Sequence, residues 1–221
     1  MSPWLLLAGS YLLGSIPASY LAGRWARGID LREHGSGNLG ATNTFRVLGP
    51  KVAAPVMLFD VLKGFFPAWF FPRWDASADW RWALAYGAAA IVGHVFSIYM
   101  RFRGGKGVAT GAGVFLALAP AAVGGAFLVW LAALLVGRMV SLASVLAALT
   151  VVPLLWLRQD RTEVLVLGTA VAAFIVYSHR ANVGRILRGE EHRFGKKTVA
   201  EHPAETTVAA AAAVADAEDE P

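Results

Sequence analysis

The chain has no cysteine among its 221 residues, so disulfides, thiolate nucleophiles and cysteine-ligated metals are all excluded, while the redox compartment stays undetermined. Charge is scarce as well, at 16% of residues, and it falls in clusters. The sequence contains no HExxH, no paired acidic motif and no G-x-S-x-G, so it gives no support to zinc hydrolysis or a serine triad. Nothing in it calls for a metal or a cofactor. Whatever chemistry the chain carries must use serine, histidine, lysine, arginine or carboxylates.

What the sequence has in excess is apolar residues, 57% of the total, gathered in long blocks separated by short polar segments. A soluble domain alternates apolar and polar residues because one face of each element meets water; lipid accepts apolar side chains on every side. The net charge of +5 does not point to nucleic acid, because the basic residues flank the apolar blocks and form no contiguous stripe. They fit a cytoplasmic bias at a membrane.

The blocks run from Pro3 to Gly23, Val52 to Phe71, Trp82 to Met100, Val108 to Val136, Val140 to Leu157 and Val164 to Tyr177. Each is near the ~20 residues that a ~30 Å hydrocarbon core requires of a helix. Arg24, Arg27, Arg32, Arg46 and Lys51 follow the first block, whereas the next loop mixes Arg73 and Arg81 with Asp75 and Asp79. The N-terminus is therefore expected outside and the first loop in the cytoplasm. Arg101, Arg103 and Lys106, and the basic stretch from Arg180 to Lys197, belong on the same side, so the long fourth block is expected to fold back near Ala119, Pro120 and Ala121. The expectation is an all-α, polytopic membrane protein of about seven spans with a cytoplasmic C-terminus; a single tilted fourth helix, giving six spans, is the alternative. The first block has no Lys or Arg before Trp4 and no clean A-x-A after it, so it reads as a span and not a cleaved signal. Residues 1–197 form one membrane domain, and 198–221, rich in alanine and acids, read as a disordered tail with no assigned role.

On the seven-span arrangement three polar clusters emerge on one side. The first is Gly35-Ser36-Gly37-Asn38-Leu39-Gly40-Ala41-Thr42-Asn43 with Arg46. It matches G-x-G-x-x-G in form only, because the preceding Asp30-Leu31-Arg32-Glu33-His34 is no buried strand. Its glycines admit an anion to the backbone, Ser36, Asn38 and Asn43 offer donors, and Arg46 offers a bidentate fork. A flexible turn between spans is the plainer alternative. The second cluster, Arg103-Gly104-Gly105-Lys106-Gly107-Val108-Ala109-Thr110, has Gly107 and Met100 where a Walker A loop needs Ser or Thr and Gly. It still sets free amides, a helix dipole and a lysine at one point, which suits an anion; a basic membrane anchor is the alternative. In the third, Ser178 to Asn182 with Arg185, Gly189 and Glu191, the residues His179, Asn182 and Arg185 recur every three positions and share a helical face. Arg138, Ser141 and Ser144 also read as one face.

Inside the spans, Asp60 and Lys63 lie three residues apart and are expected to pair or to face the site, since an unpaired charge there costs several kcal/mol. His94 has no evident charged partner and reads as a packing histidine.

These clusters, together with Gly93-His94 and Phe102, resemble the bacterial acyl-phosphate-dependent glycerol-3-phosphate acyltransferases called PlsY across nearly the whole chain. The resemblance implies transfer of an acyl group from acyl phosphate to the first hydroxyl of glycerol 3-phosphate, giving lysophosphatidic acid as the first acylation of phospholipid synthesis. It further implies seven spans in the bacterial inner membrane, a cytoplasmic active site, and a functional link to the soluble enzyme that makes acyl phosphate. The HxxxxD motif of soluble acyltransferases is absent. On this reading Ser36 and Arg46 hold acyl phosphate, Lys106 holds glycerol 3-phosphate, and His179 and Asn182 orient the acceptor. Gly37, Asn38, Gly40, Thr42, Asn43, Gly104, Gly105, Gly107, Lys63, Ser141, Arg185 and Glu191 are the expected substrate contacts. A phosphate transporter is the main rival, but no inverted repeat is present and the polar clusters lie on one side only. A non-catalytic scaffold would leave those clusters unexplained. The sequence fixes no oligomeric state.

Overall fold

The computed structural model describes residues 1–158 and 161–194; the tail reading for 198–221 lies outside them. Among these residues the chain is helical throughout, with ten α-helices: α1 Pro3–Ser15, α2 Ala18–Arg27, α3 Ala41–Leu48, α4 Pro50–Phe70, α5 Arg81–Val95, α6 Val108–Leu118, α7 Pro120–Gly137, α8 Val140–Leu157, α9 Thr162–Ser178 and α10 Arg180–Leu187. Prolines open α1, α4 and α7, where the missing N–H would have no helical partner in any case. Pro3–Arg27, Pro50–Arg73, Arg81–Met100, Pro120–Gly137 and Val140–Leu157 are long and apolar enough to cross a membrane. The bent pair α9–α10 qualifies as a sixth segment, and α6 is a shorter apolar helix.

Hydrogen bonds fix the two ends of the bundle. The N-terminal amine donates to Trp74 O, Arg161 lies over the Trp80 ring, and Arg81 pairs with Glu163, which gathers the N-terminus, the α4–α5 loop and the start of α9 at one end. At the other end Lys106 donates to Asn182, Ser141 to Glu191, and Phe194 N to Arg138 O. The segment between Lys106 and Arg138 thus begins and ends at the same end of the bundle, so α6 and α7 run out and back along it. The turn falls at Ala119 and Pro120, as the proline predicts.

Two breaks go beyond the apolar pattern. The first span is interrupted at Ile16–Pro17, because Pro17 has no N–H and pushes Ile16 into an extended conformation. The third span stops being α-helical at Val95 and not at Met100: Gly105 N takes the His94 carbonyl and Gly104 N that of Val95, so the helix ends there and only a short 3-10 turn, Ile98–Met100, follows.

Glycine sets how closely the central helices approach. A methyl group on Gly14 would overlap the backbone of Ala90, and one on Gly93 the backbone of Tyr11, which locks α1 to α5. Gly64 meets Thr110 and Gly113 meets Val61 in the same way, locking α4 to α6. Lipid gives no hydrophobic drive between helices, so such backbone-to-backbone contact is a main source of association. α7 is different, with only Ala122 and Ala126 buried and Leu128, Leu135 and Val136 turned outward.

Because backbone and not a flexible side chain opposes the added carbons, Gly113→Val is expected to destabilise the bundle by at least the ~1–3 kcal/mol typical of overpacking. A melting temperature in detergent at least several degrees lower checks this; an unchanged value would mean that α4 and α6 separate freely.

Candidate active site

The first loop is held from beneath and from within. Leu31 and Leu39 are fully buried pegs that pack with Leu48 and Met100. The Asn43 side chain, from the first turn of α3, accepts Ser36 N at 2.8 Å and donates to Leu31 O at 3.1 Å and His34 O at 3.0 Å. Gly35 and Gly37 have φ of 63° and 68°, a region that costs glycine nothing. The flexible-turn alternative therefore fails. Asn43, expected to contact substrate, lines the cavity while its amide shapes the loop, and it leaves Ser36 exposed at the surface that Gly37, Asn38, Gly40 and Thr42 share.

The second loop lies flat against the end of α5. Side chains at Gly104 or Gly105 would collide with His94, and Gly107, at φ 80°, turns the chain into α6. Lys106 is presented beside the free amides at the α6 N-terminus, where the helix dipole adds positive potential.

The third group forms where α9 bends by 52° into α10. His179 Nδ1 lies 2.8 Å from Ile175 O; a carbonyl only accepts, so Nδ1 carries the proton and Nε2 keeps its lone pair. Glu191 is the hub, accepting Asn182 Nδ2 at 2.7 Å, Arg185 Nε at 2.8 Å and Ser141 Oγ at 2.9 Å. The Asn182 oxygen takes the Lys106 ammonium, so a single amide links lysine to glutamate.

All three groups face one cavity of about 1250 Å³. Its polar end holds Ser36, Arg46, Lys106, His179 and Asn182, with Gly104, Gly107, Ser141, Arg185 and Glu191 around them. Its other end is apolar, running down between α4, α6, α7, α8 and α9 past Val61, Phe115, Val171 and Ile175. Leu58 and Phe127 line it while exposed on the outer surface of the bundle, so the apolar end opens toward lipid between α4 and α7.

Two expected contacts lie off this wall. Gly105 packs on His94, and Lys63 points into the bundle, where Asp60 Oδ1 is 2.7 Å away and Ile16 O 2.9 Å. His94 does have a charged neighbour after all, with Nδ1 3.6 Å from Asp60 Oδ1. Arg138 is not on the α8 face of Ser141 and Ser144, since it sits in the α7–α8 turn at φ 55°, but all three line the same cavity. Sequence reasoning passed over the Phe45–Phe194 stack, at 4.6 Å between ring centres, which ties α3 to the segment after α10 beside the cavity. Adjacency of Phe45 to Arg46 was the only available signal.

The polar end carries more positive than negative charge. Glu191 is held below the usual carboxylate range by its hydrogen bonds from Asn182, Ser141 and Arg185, which outweigh the opposing effect of burial. Burial lowers the Arg46 pKa, and its Nε is buried without a hydrogen-bond partner among the described residues. Burial, with Arg185 nearby, pushes Lys106 down to about 8. Burial and the Lys106 charge push His179 down to about 4, so its imidazole is neutral at pH 7. The arrangement suits two phosphorylated groups with a neutral histidine between the loops and an apolar chain beside them.

The Lys106 shift has a direct readout. Competitive labelling of amines across pH is expected to show Lys106 titrating near 8, while a free lysine titrates near ~10.4; titration of Lys106 near 10 would remove the burial argument.

Comparison with known proteins gives a consistent result. A family model described as glycerol-3-phosphate acyltransferase matches residues 4–189. The glycerol-3-phosphate acyltransferase of Trichlorobacter lovleyi is 42% identical over 191 residues, covering 85% of this chain and 95% of the relative. That of Aquifex aeolicus is 41% identical over 195 residues, covering 88% and 100%. The crystal structure of PlsY, an integral membrane glycerol 3-phosphate acyltransferase, in its glycerol 3-phosphate form superposes with a TM-score of 0.81 at 40% identity, covering 90% of this chain and 99% of that one. The lysophosphatidic acid form gives 0.79 at 39%, covering 87% and 95%.

Proposed function

Since this chain belongs to the glycerol-3-phosphate acyltransferase family, we propose that it transfers the acyl group of an acyl phosphate to the sn-1 hydroxyl of glycerol 3-phosphate, releasing phosphate and lysophosphatidic acid. The observation that carries the choice of donor is the cavity itself: two compact glycine-rich anion loops meet at one end of an apolar channel that opens to lipid. Both reactants then present a small phosphate to the loops, and the acyl chain stays in the apolar part.

Arg46 and Ser36 take the acyl phosphate, and Lys106 with the α6 amides takes glycerol 3-phosphate. Holding both fixes the hydroxyl oxygen ~3 Å from the acyl carbon, which removes much of the entropic cost of their encounter. The oxygen attacks the acyl carbon, the bond from that carbon to the phosphate oxygen breaks, and phosphate leaves with the electron pair. Arg46 neutralises the charge that develops on the leaving group. The hydroxyl proton needs an acceptor. His179, at about 4, is a weaker base than a phosphate dianion with a pKa of ~6. His179 Nε2 therefore orients the hydroxyl through a hydrogen bond, and a substrate phosphate oxygen takes the proton.

The site faces the cytoplasm of a bacterial inner membrane on this reading. Arg24, Arg27, Arg32, Lys51, Arg101 and Arg103 are exposed at the site end, whereas the opposite end mixes both signs, and cytoplasmic loops collect basic residues. That side also gives access to a soluble enzyme supplying acyl phosphate. The chain's lack of cysteine makes orientation easy to test: a membrane-impermeant maleimide added to intact cells is expected to label Ser77→Cys and leave Arg103→Cys unlabelled. The reverse pattern would turn the protein over.

Purified protein in lipid, given labelled glycerol 3-phosphate, is expected to make lysophosphatidic acid from palmitoyl phosphate and none from palmitoyl-CoA. Product from the CoA ester alone would replace the donor. Arg46→Ala and Lys106→Ala are each expected to lower kcat by more than ~100-fold, the scale for losing one charge-stabilising donor; near-normal turnover in either folded variant removes that residue from the mechanism.

The pH profile follows from the same groups. Below ~6 the phosphate is protonated and kcat/KM falls; above about 8 Lys106 loses its charge and kcat/KM falls again. Lys106→Arg is expected to move only the alkaline limb upward, and a limb that stays in place assigns it to another group.

A further inference from the structure

Three titratable residues, Asp60, Lys63 and His94, are 2%, 3% and 6% exposed inside the bundle; Asp60 and His94 border the cavity from behind its loops, Lys63 lies off it, and the chemistry above gives none of them a role. Asp60 and Lys63 form a 2.7 Å ion pair, and His94 stands 3.6 Å from the same carboxylate oxygen. A salt bridge buried this deeply is poor evidence of stabilisation, since desolvating both charges offsets most of their attraction. Its connections indicate another role.

Lys63 reaches past Asp60 to donate to Ile16 O at 2.9 Å. Ile16 lies at the break between α1 and α2, where the interrupted helix leaves carbonyls without their usual partners. The neighbouring carbonyl, Ser15 O, accepts Ser97 Oγ at 2.6 Å. Lys63 and Ser97 therefore hold the elbow from which α2 carries the chain into the first anion loop. On the other side, the His94 carbonyl accepts Gly105 N at 3.1 Å, and the imidazole fills the space a side chain at Gly105 would occupy. His94 is thus the seat of the second anion loop, lying under Gly104 and Gly105, which lead directly into Lys106.

We infer that Asp60, Lys63, His94 and Ser97 form a positioning network that sets the spacing between the two phosphate-binding loops, with Asp60 joining the elbow under the first loop to the seat of the second. The inference rests on the acyl-transfer reading, because spacing matters only where two substrates must meet. None of the four need contact a reacting atom. Each loop keeps its own internal bonds without them: Asn43 shapes the first, and Gly104 N and Gly105 N tie the second to α5. Loss of the network is therefore expected to spare binding of either phosphate and impair their alignment, and a misplacement of ~1 Å costs on the order of 100-fold in rate.

The test is the double variant Asp60→Asn/Lys63→Met in lipid. It removes both charges together, so no uncompensated ion is left, and Ile16 O keeps its bond from Ala18 N at 3.1 Å; such replacements of a buried pair are often neutral for stability. The expected result is a melting temperature and a glycerol 3-phosphate dissociation constant close to wild type, with kcat lower by about 10- to 100-fold. A kcat close to wild type, or a loss of glycerol 3-phosphate affinity that matches the loss of kcat, overturns the inference. If the double variant does not fold, Ser97→Ala removes a single elbow bond and no charge: it is expected to lower kcat several-fold at unchanged affinity, and an unchanged kcat overturns the inference equally. Wild-type protein that makes no lysophosphatidic acid would instead sink the acyl-transfer reading, so the two failures stay distinct.

Discussion

A backbone amide or carbonyl released at membrane depth has no water to pair with and costs several kcal/mol unless the protein supplies a partner. The architecture depends on meeting this constraint at each place where a helix is broken to make room for a site. Pro17 breaks the first span, and Lys63 and Ser97 take the carbonyls of Ile16 and Ser15. The third span ends at Val95 because the amides of Gly104 and Gly105 replace the helical donors to its last carbonyls. The loops that border the cavity are therefore extensions of the way the helices end.

The same economy governs charge. Cations from three separate segments converge beside a buried carboxylate, Glu191, that is already engaged by Asn182, Ser141 and Arg185. Positive potential is left over, and Arg46 Nε stays unpartnered among the described residues. Burial first, and the neighbouring Arg185 second, hold the Lys106 pKa below its ordinary value. On the proposed reading, a phosphate held there would offset part of this excess positive charge. The neutral imidazole of His179 belongs to this balance, since another cation beside Lys106 would be expensive.

The apolar half of the cavity follows from unequal helix packing. Glycine-mediated contacts hold α1 against α5 and α4 against α6 with no space for a ligand. α7 has no such contact with α4, and the channel lies in that gap, bordered by Leu58 and Phe127. On the proposed reading the donor's acyl chain would enter from the bilayer, and the loosely covered side is the one next to the loops.

Much of this was legible in the amino-acid order. Apolar runs close to the hydrocarbon thickness located the passes, and Pro120 located the fold-back, because span length and proline's missing donor are local properties. The three polar clusters were visible for a similar reason: glycine beside lysine, serine or arginine is informative without knowing what lies opposite. Partnerships were not legible. Asn43 could be read as a cavity residue, but not as the residue that shapes its own loop; Lys63 looked like a substrate contact, yet it holds Ile16 O; His94 looked alone, although Asp60 stands beside it. Arg138 fitted a helical face by count and lies outside the helix by conformation. Spacing along the chain determined which chemical groups this protein has and the membrane it lives in. Only the tertiary structure decided which groups face the cavity and which face each other, because that depends on how helices distant in sequence cross, and their crossing is set by close backbone contacts that leave no periodic mark in the sequence.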